Sequence, residues 1–170
     1  MILGMSTSAF TLLHVVISLI AIATGFVVVA RMFRSNVAAG WTGIFLATTI
    51  LTSVTGFLFP ADTVLPSHIV GGISLVVLTI ATAALYAFRL MGSWRWISAA
   101  SAMFALYLNV FVLVAQAFLK GGFLKALAPK GSEPPFLVAQ GVVLIVFILL
   151  GIKAVKSFHP DTSRAALRPA

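Results

Sequence analysis

The chain has very little with which to meet water. It contains no cysteine and only three acidic residues, and charged residues make up 8% of its 170 positions, whereas 61% are hydrophobic. The lack of cysteine excludes disulfides, thiolate zinc sites, iron–sulfur clusters and a cysteine nucleophile. So few polar side chains cannot cover a soluble domain of this size, and the sequence therefore predicts a protein whose solvent is lipid.

The chain also lacks the clustered basic surface that nucleic-acid binding requires, although its net charge is +8. Its basic residues lie between apolar segments, which is typical of topology signals in membrane proteins. They are Arg31, Arg34, Arg89, Arg95, Lys120, Lys125, Lys130, Lys153, Lys156, Arg164 and Arg168. The pattern indicates that these charges face the lipid bilayer and that the protein does not bind nucleic acid.

Sequence motifs of soluble enzymes are absent as well. There is no glycine-rich phosphate loop and no His-Glu-x-x-His helix. The acids are Asp62, Glu133 and Asp161, and none is placed in a convincing Ser-His-acid set. The sequence therefore favours a protein that is not an enzyme.

Five apolar segments have the length of about 20 residues that a transmembrane helix needs. They cover roughly Ala9–Ala30, Trp41–Phe59, His68–Phe88, Ile97–Leu119 and Phe136–Val155. The prediction is an all-α, polytopic integral membrane protein with five transmembrane helices in a bundle. Residues 1–156 are predicted to form a single domain, and residues 157–170 a short, disordered cytoplasmic tail.

The distribution of lysine and arginine predicts the orientation of this bundle. Eight of the eleven lie on the side that holds the first and third loops and the C-terminus. The positive-inside rule then places the N-terminus outside and the C-terminus inside. Lys120, Lys125 and Lys130 oppose this assignment. In the same loop, the stretch 123–128 is amphipathic enough to form a short helix along the membrane interface.

Two histidines are the polar groups with the most chemistry. His14 lies near the start of the first predicted helix and His68 begins the third, and the two helices run in the same direction, so both imidazoles lie at a similar depth. Neutral imidazole is a good ligand for haem iron and other transition metals. The pair is therefore a candidate for the axial ligands of one b-type haem, or for a metal site, with Gly71 and Gly72 leaving space beside it. The alternative is that each histidine is hydrogen-bonded within the bundle or carries protons.

Further polar side chains are concentrated in the outer half of the predicted bundle. Thr48, Thr52 and Thr55 share one helix face, and Asn109 and Gln116 share another, so both faces are expected to point inward. Such groups serve as hydrogen-bonding contacts between helices or mark a path for a solute. Gln140 and Glu133 complete the predicted polar cluster, with Glu133 expected to complement the helix dipole at the start of the fifth helix.

Three short stretches carry a resemblance. Leu106–Phe118, Ser132–Phe136 and Pro66–His68 resemble small multi-pass bacterial membrane proteins that have no assigned activity. The resemblance implies a bacterial inner-membrane location and no particular activity. The paired histidines are also similar to those of membrane b-type cytochromes, although no motif of those families is present.

These observations leave three functional hypotheses. The first is a non-catalytic membrane subunit or assembly factor, which acts through a membrane-complex partner or a homo-oligomer. The second is a membrane electron carrier with haem b or a metal held by His14 and His68 near the outer surface. The third is a small-solute or proton-coupled transporter that uses the histidines, the threonines and Asn109.

Overall fold

A computed structural model describes residues 1–61, 63 and 65–160 of the chain. Within these residues the fold is helical, apart from turns and one isolated β-bridge between Ile2 and Met5. The helices are α1 (Thr7–Met32), α2 (Ala39–Phe57), α3 (Pro66–Ala87), α4 (Trp94–Lys120), α5 (Gly122–Leu127) and α6 (Pro134–Ser157). All except α5 are long and apolar enough to cross a membrane. The prediction of five such helices is confirmed, and it indicates a multi-pass membrane protein.

The helix boundaries follow from local chemistry. The Ser6 hydroxyl accepts the Ala9 N–H and so caps α1. Pro66 and Pro134 stand in the first turns of α3 and α6, where the missing proline N–H has no cost. The last turn of α3 is π-helical, and the left-handed residues Arg89 and Leu90, with φ of 48° and 59°, follow it. The chain thus reverses sharply before α4.

Packing follows the chain order, with α1 on α2, α2 on α3 and α3 on α4, while α4 also contacts α1 and α6. The helices approach one another closely at Gly25 of α1. A Cβ atom there would lie 2.6 Å from Cδ1 of Leu106 and 2.9 Å from Cε2 of Phe45. The absence of a side chain at Gly25 therefore lets α1, α2 and α4 meet in one buried contact.

The C-terminal ends of α1 and α6 meet the N-terminal end of α4, and we call this the basic end because it carries Arg31, Arg34, Arg95, Lys153 and Lys156. The Ser35 hydroxyl donates to the Ser157 carbonyl at 2.6 Å, and Arg95 Nη1 donates to the Phe158 carbonyl at 2.9 Å. Phe158 is 2% exposed. The first residues of the predicted tail therefore pack on the helices, while 161–170 lie outside the described residues.

The loop between α4 and α6 contains the predicted short helix, which is α5. Phe123 is 78% exposed on it, and Lys125 lies in its last turn. Phe118, at the end of α4, packs edge-on against Phe136 in the first turn of α6. This contact brings the C-terminal end of α4 to the N-terminal end of α6, so the two helices are antiparallel.

Candidate functional site

The hydroxyl groups of α2 are satisfied mainly by their own helix. Three threonine side chains each donate to the backbone carbonyl four residues earlier, at 2.7 Å. The pairs are Thr48 with Ile44, Thr49 with Phe45 and Thr55 with Leu51. Such bonds answer the requirement that polar groups in lipid find internal partners. Because each hydroxyl proton is used within α2, the threonine hydroxyl oxygens can act only as hydrogen-bond acceptors toward other helices.

His14 of α1 is joined to α2 through one of these threonines. Its Nδ1 lies 2.7 Å from the Thr55 hydroxyl oxygen, and its ring meets Phe59 edge-on with the centroids 5.3 Å apart. The Thr55 hydroxyl has one proton, which it donates to the Leu51 carbonyl. We therefore assign Nδ1–H of His14 as the donor in the bond to Thr55, which in the neutral ring leaves the lone pair on Nε2.

His68 has the opposite arrangement. The backbone N–H of Leu65 donates to its Nδ1 at 3.2 Å, so the side chain caps the first turn of α3. In the neutral ring the proton then resides on Nε2. The imidazole also stacks on Phe57 of α2, with centroids 5.6 Å apart and planes 16° apart. The sequence did not predict this capping role. It arises because His68 is the third residue of α3, from which its side chain reaches back to the N–H of Leu65.

The two histidines contact the same short segment, residues 55–59 at the end of α2 and just beyond it, but not each other. In the described part of the chain no hydrogen bond or ring contact joins them. A haem or metal held by both Nε2 atoms would require His68 to release the Leu65 N–H, because a neutral imidazole that binds a metal through Nε2 carries its proton on Nδ1. Paired ligation thus remains a prediction that needs a rearrangement at His68.

The glycines beside His68 have different surroundings. A Cβ atom at Gly71 would lie 3.1 Å from Cε2 of Phe57, so this glycine makes room for the phenylalanine that stacks on His68. A Cβ atom at Gly72 would meet no atom within 4 Å. Gly71 therefore has a packing role, and only Gly72 borders open space.

The middle of the bundle holds a second polar contact. Nδ2 of Asn109 on α4 donates to the Thr49 hydroxyl oxygen of α2 at 3.3 Å, and Thr49 is completely buried. Between this pair and the His14–Thr55 pair lies Thr52, whose hydroxyl oxygen is buried without a hydrogen-bond partner among the described residues. The α2 residues Thr49, Thr52 and Thr55, with His14 and Asn109, form what we call the polar strip.

The predicted glutamines differ from each other. Gln140 of α6 is 8% exposed, and its Nε2 donates to the Phe111 carbonyl of α4 at 3.0 Å. Its Oε1 is buried without a partner among the described residues. Gln116, predicted to share an inward face with Asn109, is exposed instead. It lies two turns further along α4, where the surrounding helices no longer cover that face.

Glu133 immediately precedes α6 but does not bond to the N–H groups of that helix. Its two carboxylate oxygens accept the backbone N–H groups of Lys130 and Ser132, at 2.9 and 3.0 Å. The Lys130 N–H bond is the main cause that lowers the pKa of Glu133 below its ordinary value of 4.5. Glu133 therefore organises the loop before α6 and does not join the polar strip.

Two buried hydroxyl contacts were missed by the sequence analysis. Thr49 was not singled out, although it lies three residues before Thr52 and so on the same face of α2. The Ser53 hydroxyl donates to that of Ser74 on α3 at 3.1 Å. Both serines are buried, at 7% and 3% exposed. Small hydroxylated residues in apolar helices are the signal that could have identified them.

The described residues contain no group of three or more histidine, aspartate or glutamate side chains that could hold a metal ion. Comparisons with protein-family models, with curated proteins and with solved structures found no match to this chain. The functional argument therefore rests on the polar strip and on the surfaces that the helices leave uncovered.

Proposed function

We propose that this chain is a non-catalytic subunit or assembly factor of a membrane complex. The observation that carries the proposal is the exposure of α6. Only 11% of its most apolar stretch is buried by the rest of the chain, against 33% for α1 and for α4. An apolar stripe on α6, formed by Val138, Val142, Ile145 and Leu149, is between 55% and 65% exposed. This stripe is a continuous surface on which another transmembrane helix can pack.

The chemistry of the interior supports the same proposal. The hydroxyl and imidazole groups inside the helices are largely engaged with backbone carbonyls or with each other, which is how polar groups serve contacts between membrane helices. Contacts of this kind stabilise a scaffold without binding a substrate. Carboxylates, which proton-transfer and hydrolytic chemistry often needs, are limited to Glu133 among the described residues, and its carboxylate is held by the loop.

Orientation and location belong to the proposal as well. We place the protein in a bacterial inner membrane with the N-terminus outside and the C-terminus in the cytoplasm, because eight of the eleven lysine and arginine residues lie on the side of the first and third loops and the C-terminus. A reporter enzyme fused after Ala170 should be active only if it is a cytoplasmic type. A reporter inserted in the loop 60–66 should be active only if it is a periplasmic type. The reverse pattern would overturn the orientation.

The subunit proposal is tested by extraction in a mild detergent and measurement of molar mass by native mass spectrometry. We expect a stoichiometric complex, with a second protein or with further copies of the chain. The double variant Ile145→Trp/Leu149→Trp should break it, because two indoles disrupt packing on the stripe. The matched control is Leu12→Trp/Val16→Trp, a pair of exposed positions on α1. An isolated monomer under these conditions would overturn the proposal.

A second function, transport of protons or a small polar solute, is favoured by Thr52. Its buried hydroxyl lies between the His14–Thr55 and Thr49–Asn109 bonds without a partner of its own, which is the condition of a group that binds water or a solute. Flux into proteoliposomes should then fall in Thr52→Val and Asn109→Leu and persist in the control Thr79→Val. Flux that is absent, or that all three variants leave unchanged, would exclude this function.

A further inference from the structure

A groove of about 470 Å³ runs between α4 and α6 towards the basic end. Its walls are almost entirely apolar and include Met103, Phe104 and Phe147. Gly151 of α6 also lines it, and a Cβ atom added there would meet no atom within 4 Å. The groove is therefore an open apolar depression on the surface between two antiparallel helices, and none of the four residues of the stripe on α6 lines it.

The end of the groove has a different character. Lys156 and Trp96 line it there, and both are exposed. Lys156 is the one lysine or arginine among the described residues that line the groove, whereas Lys153 on the same helix lies 4.6 Å from the centre of the Phe33 ring. Arg95 is likewise engaged, through its bond to the backbone. Lys156 is thus the cation that the groove presents to a ligand. A tryptophan beside a lysine at the end of a membrane helix is typical of headgroup depth.

The charge at this end selects an anion. Glu133 is the sole acid among the described residues, and it lies at the opposite end of α6. A ligand that fills the groove must combine a long apolar part with a negative head, since the walls offer hydrocarbon and the end offers an ammonium group. Basic pockets between membrane helices bind anionic lipid headgroups in this way.

The shape favours a lipid over a protein. An α-helix with its side chains is about 10 Å across, so a second copy of the chain would cover the mouth of the groove without filling it. A single acyl chain is much thinner than a helix and suits an apolar groove of this volume, which Phe104 and Gly151 line. The geometry points to a specific binding site for an anionic phospholipid, with one acyl chain between α4 and α6 and its phosphate on Lys156.

The test uses the full chain, purified in a neutral detergent, stripped of lipid and titrated with phosphatidylglycerol or phosphatidylcholine under native mass spectrometry. We expect one phosphatidylglycerol to bind with higher affinity than phosphatidylcholine. Lys156→Gln should weaken phosphatidylglycerol binding about fivefold, the equivalent of about 1 kcal/mol, and remove the preference. Lys125→Gln, which changes a lysine on α5 far from the groove, should leave both affinities unchanged.

The apolar part of the site is tested on the same helix. Gly151→Leu places a side chain in the groove and should abolish the binding of the first lipid. Gly141→Leu is the matched control, because a Cβ atom at Gly141 also meets no atom within 4 Å but this residue does not line the groove. An equal loss of lipid binding in both variants would show that lipid solvates the whole surface without a specific site, and would overturn the proposal. Equal affinity of the unmodified chain for the two lipids would overturn it as well.

A second measurement does not depend on the leucine variant. Because the chain has no cysteine, Gly151→Cys can carry a single fluorophore, and brominated phosphatidylglycerol should quench it at lower concentration than brominated phosphatidylcholine. The same label at Gly141→Cys should show no such difference. A label at Gly151 that is shielded from both lipids, in a chain that is dimeric, would show that a second copy covers the groove and would also overturn the proposal.

Discussion

Nδ1 of His14 lies 2.7 Å from the hydroxyl oxygen of Thr55, and this bond joins α1 to α2 at the end of the bundle where the imidazoles lie. Because we assign the hydroxyl proton to the Leu51 carbonyl, the histidine is the donor. The contact consequently fixes a tautomer as well as a helix pair. It leaves one nitrogen of His14, Nε2, as an acceptor that the bond to Thr55 does not use.

Removal of the Thr55 hydroxyl, which accepts the hydrogen bond from His14, should destabilise the contact between α1 and α2. Thr55→Val keeps the shape of the side chain but leaves Nδ1–H of His14 without its partner, and we expect a loss of about 1 kcal/mol in unfolding free energy. The measurement is reversible unfolding in mixed micelles. Thr79→Val is the control, because the Thr79 hydroxyl is exposed and bonds only to the Leu75 carbonyl. Equal losses in the two variants would show that His14 does not depend on Thr55.

The two neutral imidazoles should have opposite tautomers. We expect His14 to carry its proton on Nδ1 and His68 to carry it on Nε2, because Thr55 accepts from the first ring and Leu65 donates to the second. Nitrogen-15 spectra of histidine-labelled protein in micelles distinguish the two forms. Single His14→Asn and His68→Asn variants assign the signals. The same tautomer in both rings would contradict one of the two hydrogen bonds.

Loss of the His68 cap should weaken the start of α3. In His68→Leu the Leu65 N–H loses its acceptor, and the stacking on Phe57 is replaced by an aliphatic contact. We expect a cost of about 1 kcal/mol, with faster amide exchange confined to the first turn of α3. Ile69→Leu, which changes an exposed neighbour, should not alter exchange there. Unchanged exchange in His68→Leu would rule out the capping role.

The sequence could predict the spanning helices because hydropathy and length are properties of a local segment. It could also place Thr55 and Thr52 on one face of α2, since that follows from helix periodicity. It could not distinguish Gln116, which is exposed, from Gln140, which is buried, because coverage depends on which helices pack beside them. The sequence could not predict the histidine tautomers either, since they depend on the Leu51 carbonyl of α2 and on the Leu65 N–H before α3.

The crossing at Gly25 should be intolerant of side chains. A Cβ atom added there would lie within 3 Å of the side chains of Leu106 and Phe45, so Gly25→Leu must push α1 away from α2 and α4. Overpacking of this kind costs about 1–3 kcal/mol, which thermal unfolding in micelles would detect. Gly141→Leu, which introduces the same side chain into open space on α6, should be close to neutral. A neutral result at Gly25 would mean that the three helices are not in contact there.

The loop before α6 should lose stability in acid through Glu133. Its pKa is lowered in the folded protein by the Lys130 and Ser132 N–H groups, so the ionised carboxylate stabilises the folded state. This contribution is fully present above the ordinary value of 4.5 and is lost as the pH falls through the lowered pKa.

Glu133→Gln keeps one acceptor oxygen and removes the charge. At neutral pH this variant should therefore unfold at a lower temperature than the unmodified chain, and the difference between the two unfolding temperatures should close below pH 4.5. Lys125→Gln, a charge change in the same connection, should give a difference that does not vary over that range. A Glu133→Gln difference that stayed constant down to strongly acidic pH would show that the carboxylate charge does not stabilise the loop.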